Sequence, residues 1–485
     1  MKKIFFINTL AFMLIALSSC NKLLDIKPVN SMMPVTIKDY ESVLIGGYPK
    51  KDFYYRTELM TDNAMVNLVT TYTLTRAEEP WFVWASSMLL DGIQQDEYWG
   101  LMYKSIFYAN TVLDNLNSRT PDAQDRQLYE KVKGEAYALR AFNYFYLINL
   151  YADTYTSAHL QLPGVPMPLT AEDINANKSN NVRETIEKVW GQIAADLEQA
   201  SSLLVAKPDA GKFRFNYTSV QLLKARVMLF MGNYQAAIDA ASETIGGSTL
   251  ADLNSLQPHI DAKGNSYAFT GTTGFIDTDY KNEILFYMGG KANNNLFYFG
   301  TGAGKPTEEL LNLTKRYGDL TDYRQYIFDS FAIPNTSEGA QTGATMYNMF
   351  AKQENPSYFI GLKSSEAYVI RAEAYVRSNR GGLAINDLNS LLKTRIKKNK
   401  YVPLTSADFV DNDALLKRVL EERRLETAMD AGLRWLDLRR LGKPQITHNY
   451  KNGLVYTLKK DDPRYLLQIP PSEYNNSPDM PINPR

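Results

Sequence analysis

Residues 134 to 153 read GEAYALRAFNYFYLINLYAD, with four tyrosines and two phenylalanines in twenty positions. At 100° per residue Tyr137, Tyr144 and Tyr151 form one stripe, Phe142 and Tyr146 lie opposite, and Phe145 falls between. Only Arg140, Asn143 and Asn149 break the apolar surface. A helix that is apolar on every side is stable only when other elements surround it. The stretch therefore predicts a central scaffold helix over 135–151, inside a layered helical protein. Each tyrosine hydroxyl in it needs a local hydrogen-bond partner.

Other segments supply the surrounding helices. DEYWGLMYKSIFYANTVLDNL (96–116) and VRETIEKVWGQIAADLEQASSLL (182–204) place apolar residues at i, i+3, i+4 and i+7. TSVQLLKARVMLFMGNYQAAIDAASETIGG (218–247) reads as a helix to Met231, a break at Gly232-Asn233, and a second helix from Tyr234 to Ile245. Gly246 is expected in the left-handed position that closes it. Helix, short Gly-containing turn and helix resemble a tetratricopeptide unit, and a looser copy runs over 366–397 with its turn at Gly381-Gly382. The uneven spacing excludes a regular array. Leu415 to Arg440 reads as helix interrupted at Gly432, and the proline-rich end YLLQIPPSEYNNSPDMPINPR is expected not to be helical.

The N-terminus carries a different signal. Lys2 and Lys3 precede an apolar run from Ile4 to Leu17, too short for a bilayer span but suited to a signal peptide. Ser18 and Ser19 then lead to Cys20, the one cysteine of the chain. Leu-Ser-Ser-Cys resembles a bacterial lipobox, so Cys20 is the expected lipidation site and the chain's attachment to a membrane. No intramolecular disulfide is then possible, and the fold must hold by burial. Loss of residues 1–19 leaves 51 basic against 53 acidic residues, a net charge of −2. Without a basic excess, binding to nucleic acid is not expected. The 32 tyrosines favour contact surfaces that are apolar on the ring and polar at the tip.

The expected organisation is a signal peptide (1–19), a lipidated N-terminus and tether (20–36), and an N-terminal helical part (37–246). An irregular insert rich in Gly, Asn, Thr and aromatics (247–361) follows, then a C-terminal helical part with the proline-rich tail (362–485). The fold class is all-α dominated: a scaffold of tetratricopeptide-like helix pairs carrying an irregular, loop-rich, ligand-facing subdomain.

Several stretches in order resemble the SusD/RagB family of outer-membrane lipoproteins. They are the lipobox with LLDIKP behind it, EAYALRAFNYFYL, LLKARVMLFMGNYQAA, RAEAYVR, EERRLETAMDAGLRWLDLRR and LLQIPPSEYNNSP. The resemblance spans essentially the whole chain after the signal peptide. It implies a lipid-anchored, non-enzymatic protein of the outer membrane, facing the cell exterior. It also implies a partner, a SusC-like TonB-dependent barrel transporter, for which the protein captures glycans. Peptide capture, as in some members, and a helical scaffold without a small ligand are the alternatives.

Nothing in the sequence competes as catalytic chemistry. His159, His259 and His448 lie far apart and form no H-E-x-x-H, so a zinc site is not expected. GTGAGKP fails the phosphate-loop pattern at Phe299 and Pro306. Asp277-Thr278-Asp279 could open a calcium loop, but Asn282 stands where such a loop requires glycine. No cofactor is expected. A paired-carboxylate glycosidase is not visible in one dimension, because the carboxylate separation is a property of the fold.

Sugar C–H patches pack on aromatic faces while amide and charged groups meet the hydroxyls. Trp99, Trp190 and Trp435 sit on helical stripes and are expected in the core. Trp81 and Trp84, with Phe82 between them and Tyr72 upstream, fall outside any helical period and make one candidate ring platform. ANNNLFYFG makes the second, with Asn294 and Asn295 beside Phe297 and Tyr298.

Overall fold

The computed structural model describes residues 34–49, 55–66, 73–89, 93, 96–175, 182–205, 211–255, 259–260, 266–267, 283–288, 304–319, 321–325, 330–332, 345–347 and 360–485. Cys20, Tyr72, Asp277, Asn294, Asn295, Phe297 and Tyr298 lie outside the described residues, as does most of the 247–361 stretch.

The described residues hold ten helices of eight residues or more. They are α1 (Ile37–Gly47), α2 (Glu97–Asn117), α3 (Arg126–Tyr151), α4 (Ile186–Leu204) and α5 (Tyr217–Phe230), then α6 (Tyr234–Gly246), α7 (Ser364–Arg377), α8 (Gly381–Arg395), α9 (Asn412–Thr427) and α10 (Leu433–Arg440). Neighbours in sequence are neighbours in space: α1 on α2, α2 on α3, α3 on α4, α4 on α5, α5 on α6, α6 on α7, and α7 on both α8 and α9. The pairs α5–α6 and α7–α8, each joined by a three-residue turn, give the scaffold its tetratricopeptide-like character.

Each boundary has a local cause. Asp96 accepts from the Tyr98 amide to open α2, Thr185 from Lys188 to open α4, and Asp411 from Ala414 to open α9. Asn216 and Ser219 form a reciprocal capping box at α5. Between α5 and α6, Gly232 takes φ +73°, where a Cβ would be strained, and Asn233 caps α6.

The central helix α3 begins at Arg126, nine residues before the expected start, and its run from Ala138 to Tyr151 is buried throughout. Tyr144 donates to the Pro168 carbonyl at 2.6 Å, Tyr151 to Asp96 at 2.6 Å and Tyr146 to the Ala431 carbonyl at 3.1 Å. Trp99, Trp190 and Trp435 are all buried. One apolar cluster runs from Ile37 to Met480, and a smaller one lies among α7, α8 and α9.

Three expectations change. Gly246 stays helical and Gly247 ends α6 with φ −99°, its amide bonded to Glu243, so no left-handed residue is used there. The break between α9 and α10 starts at Ala428, not Gly432, because Met429 and Ala431 also take positive φ (63° and 52°). Finally, the proline-rich end contains a short helix, Pro471–Asn476; proline is tolerated in a first helical turn because its missing N–H has no partner to lose.

Short two-stranded ladders lie among the helices. β1 (Ala64–Val66) pairs with β3 (Gly304–Pro306), β2 (Ile284–Tyr287) with β4 (Ile360–Lys363), and β5 (Ile446–Asn449) with β6 (Val455–Leu458), all antiparallel.

Candidate functional site

The 81–84 turn is not a ligand platform. Trp81, Phe82 and Trp84 are 2%, 0% and 0% exposed. The imidazole of His448, on β5, lies between the last two rings, stacked at 4.3 Å on Phe82 and 4.1 Å on Trp84. Its ring nitrogens stand 2.8 and 2.9 Å from the carbonyls of Phe82 and Thr61. Trp84 donates its indole N–H to the Met60 carbonyl at 3.0 Å. A sequence without helical period there reflects a compact turn, with Trp84 at φ +50°, rather than exposure. The rings are packed on a partner some 365 residues away, which no local pattern reveals.

The helices also carry a dense set of buried ion pairs that the sequence reading did not anticipate. Arg226 meets Glu366 through two bonds of 2.9 and 2.6 Å, both residues essentially inaccessible. Arg423 bonds Asp437 at 2.7 Å, and Arg440 bonds both oxygens of Glu373 and one of Asp437. Arg395 reaches Glu283 and Glu426, and Arg324 reaches Asp322, Glu422 and Glu426. The guanidinium groups around Glu426 hold its carboxyl well below the usual range, and those around Glu373 and Asp437 act in the same direction against the cost of burial. The available signal was charge at inward helical positions, such as Arg226 within LLKARVMLF. These pairs tie the helices of the scaffold to one another, although both Nη groups of Arg423 lack a hydrogen-bond partner among the described residues.

The same network carries the strands that lead toward the loop candidates. Arg424 bonds Asn63 and the Asp62 carbonyl, and Arg434 holds Asp62 through 2.7 and 2.6 Å bonds, so α9 and α10 clamp the start of β1. In the β1–β3 ladder Val66 is opposite Gly304. The chain leaving Val66 and the chain arriving at Gly304 therefore depart from the same end of one ladder. Tyr72 follows Val66 by six residues and Tyr298 precedes Gly304 by six. Both candidate stretches therefore join the described scaffold at the same end of this ladder. Near the other end of the 289–303 segment, Tyr287 on β2 stacks at 5.3 Å on Phe213, a ring 47% exposed. Among the described residues, no group of His, Cys, Asp and Glu is arranged to hold a metal ion, and no helix is long and apolar enough to cross a membrane.

Comparison with known proteins decides the family. Residues 22–229 match a family model described as starch-binding associating with outer membrane, and residues 243–485 match the model of the SusD family. The chain belongs to the SusD family. It is 24% identical to the SusD-like protein P38 of Formosa agariphila, over 90% of this chain and 91% of that one. SusD-like protein P2 of the same organism is also 24% identical, over 80% of each. Among solved structures, a SusD superfamily protein from Bacteroides thetaiotaomicron superposes with a TM-score of 0.71 at 21% identity, covering 93% of this chain and all of that one. A SusD-like carbohydrate binding protein from Bacteroides vulgatus superposes at 0.65 and 18% identity, covering 92% and 97%. These likenesses establish the helix-dominated SusD fold.

Proposed function

We propose that this SusD-family chain captures oligo- or polysaccharides at the outer-membrane surface and delivers them to a TonB-dependent barrel transporter. Membrane attachment is assigned to a lipid on Cys20. The observation that carries the reading is the joint match of both halves of the chain to SusD-family models. The ligand surface is assigned to the segments bearing Tyr72 and Asn294–Tyr298, which join the scaffold at one end of the β1–β3 ladder. Rings and amides in one short stretch of sequence, Asn294-Asn295 next to Phe297-Tyr298, suit a hydroxylated, C–H-bearing ligand.

Affinity electrophoresis in polysaccharide-containing gels tests the ligand. Wild type is expected to be retarded by at least one glycan, and Phe297→Ala with Tyr298→Ala to lose the retardation, at ~1–3 kcal/mol per stacked ring. Retardation that survives the double substitution would place the site elsewhere. Affinity isolation from native membranes tests the partner: co-purification of a large barrel protein is expected, and its absence removes the delivery role.

A further inference from the structure

Two carboxyl groups act on one arginine at the root of the β1–β3 ladder. Glu58 ends the short helix Tyr55–Glu58, and Asp62 follows it in the next turn of chain. Asp62 holds Arg434 of α10 through bonds of 2.7 and 2.6 Å, made by Nε and Nη2. Glu58 is 1% exposed; its Oε1 accepts from Asn63 Nδ2 at 2.8 Å and faces the Met429 amide at 3.4 Å. Its Oε2 has no hydrogen-bond partner among the described residues.

Asp62 and Asn63 anchor the ladder on both sides. The amide and hydroxyl of Thr307, just past β3, donate to the carbonyls of Asn63 and Asp62 at 2.9 and 2.8 Å. Arg424 of α9 donates to Asn63 Oδ1 and to the Asp62 carbonyl at 2.7 Å each, and pairs with Glu309 through Nη1. Met429, against Glu58, opens a link from α9 to α10 in which Met429, Ala431 and Gly432 all take positive φ. The ladder itself has three residue pairs, too few to persist without support at this end. The segments bearing Tyr72 and Asn294–Tyr298 join the scaffold at its other end, at Val66 and Gly304.

The charges around Glu58 set up a competition. Arg434 feels Asp62, Asp437 and Glu58 together. Lys363 of β4 pairs with Asp430, the neighbour of Met429, at 2.9 Å, and Arg56 of the short helix acts on Asp96. His448 of β5 stands 2.9 Å from the Thr61 carbonyl, and burial keeps its pKa below the usual histidine value. Burial raises the Glu58 carboxyl to about 7, whereas, against the same cost, Arg434 and Arg424 hold Asp62 low. Below neutrality Glu58 is therefore uncharged and Asp62 has Arg434 to itself. Above it, a buried carboxylate with one bare oxygen stands near a second carboxylate, and turning Arg434 toward it takes a donor from Asp62. We propose that Glu58 is a proton-controlled latch on the β1–β3 ladder: its proton leaves Arg434 to Asp62 and keeps the ladder closed, and release of that proton to solvent divides Arg434 between the two carboxylates and lets the ladder open.

Amide hydrogen exchange of the mature chain, read by mass spectrometry between pH 6 and pH 8 and corrected for the intrinsic rate, tests the latch. An opening that returns Glu58 to water returns its pKa to about 4.5. By linkage, protection over 64–66 and 304–307 is then expected to fall about tenfold from pH 6 to pH 8. Helix α3 is expected to stay better protected at both pH values, which separates this opening from global unfolding. Glu58→Gln is expected to abolish the tenfold change. Asp62→Asn, which leaves Arg434 to Glu58, is expected to move the midpoint of the change to lower pH. The proposal is overturned if the wild-type ladder shows no such change or exchanges no faster than α3. It is equally overturned if Glu58→Gln keeps the change, or if Asp62→Asn leaves the midpoint where it is.

Discussion

The carboxyl of Glu58 is 1% exposed, bonded through Oε1 to Asn63 at 2.8 Å and facing the Met429 amide at 3.4 Å. Its other oxygen has no hydrogen-bond partner among the described residues, and burial pushes its pKa up from 4.5 to about 7. The folded state thus binds this proton more tightly than the unfolded chain. Its contribution to stability is present at low pH and is lost as pH rises from about 4.5 through 7, by at most roughly 3 kcal/mol. Glu58→Gln keeps an acceptor at Oε1 and has no charge to bury. Thermal melts should show the variant matching wild type near pH 5 and exceeding it at pH 8; equal melts at both pH values would mean that Glu58 titrates normally.

Between elements, close approach replaces specific chemistry. A Cβ on Gly134 of α3 would stand 2.8 Å from Leu204 Cγ and 3.0 Å from Leu203 Cβ on α4. In an exposed helix interior Gly→Ala stabilises by about 1 kcal/mol. Here overpacking, at about 1–3 kcal/mol, opposes that gain and dominates because both leucines belong to a packed helix contact. Gly134→Ala should therefore lower the urea midpoint, and a rise would show that α4 can move away freely. The helix periods of α2 to α6 were legible because amphipathic spacing is a local property. The burial of Trp81, Phe82 and Trp84 was not, since it depends on His448 arriving on a distant hairpin.

Over the whole molecule, the chain end is part of the fold. Arg183 is buried with no carboxylate partner among the described residues and instead donates to the carbonyls of Gly164, Tyr151, Pro163 and Pro481 and to Asn483 Oδ1. Burial without an acidic partner lowers its pKa to about 10, still well above neutrality. Asn483 returns two bonds of 2.7 Å, to the carbonyls of Tyr151 and Leu467. Asn483→Ala removes those donors and one acceptor of a buried cation. It should cost about 1–3 kcal/mol in equilibrium unfolding, whereas an unchanged midpoint would make the tail an appendage.

The sequence by itself determined the helical class, the paired turn at Gly232-Asn233, the buried central helix and the resemblance that family comparison upheld. Each is written in residue order and spacing, which survive without a third dimension. Only the tertiary structure decided which rings are core, which charges pair, and that Val66 and Gly304 stand opposite each other at one ladder end. Those outcomes join residues hundreds of positions apart, and burial, pairing and cavity shape are set by the partner that arrives, not by the residue that waits.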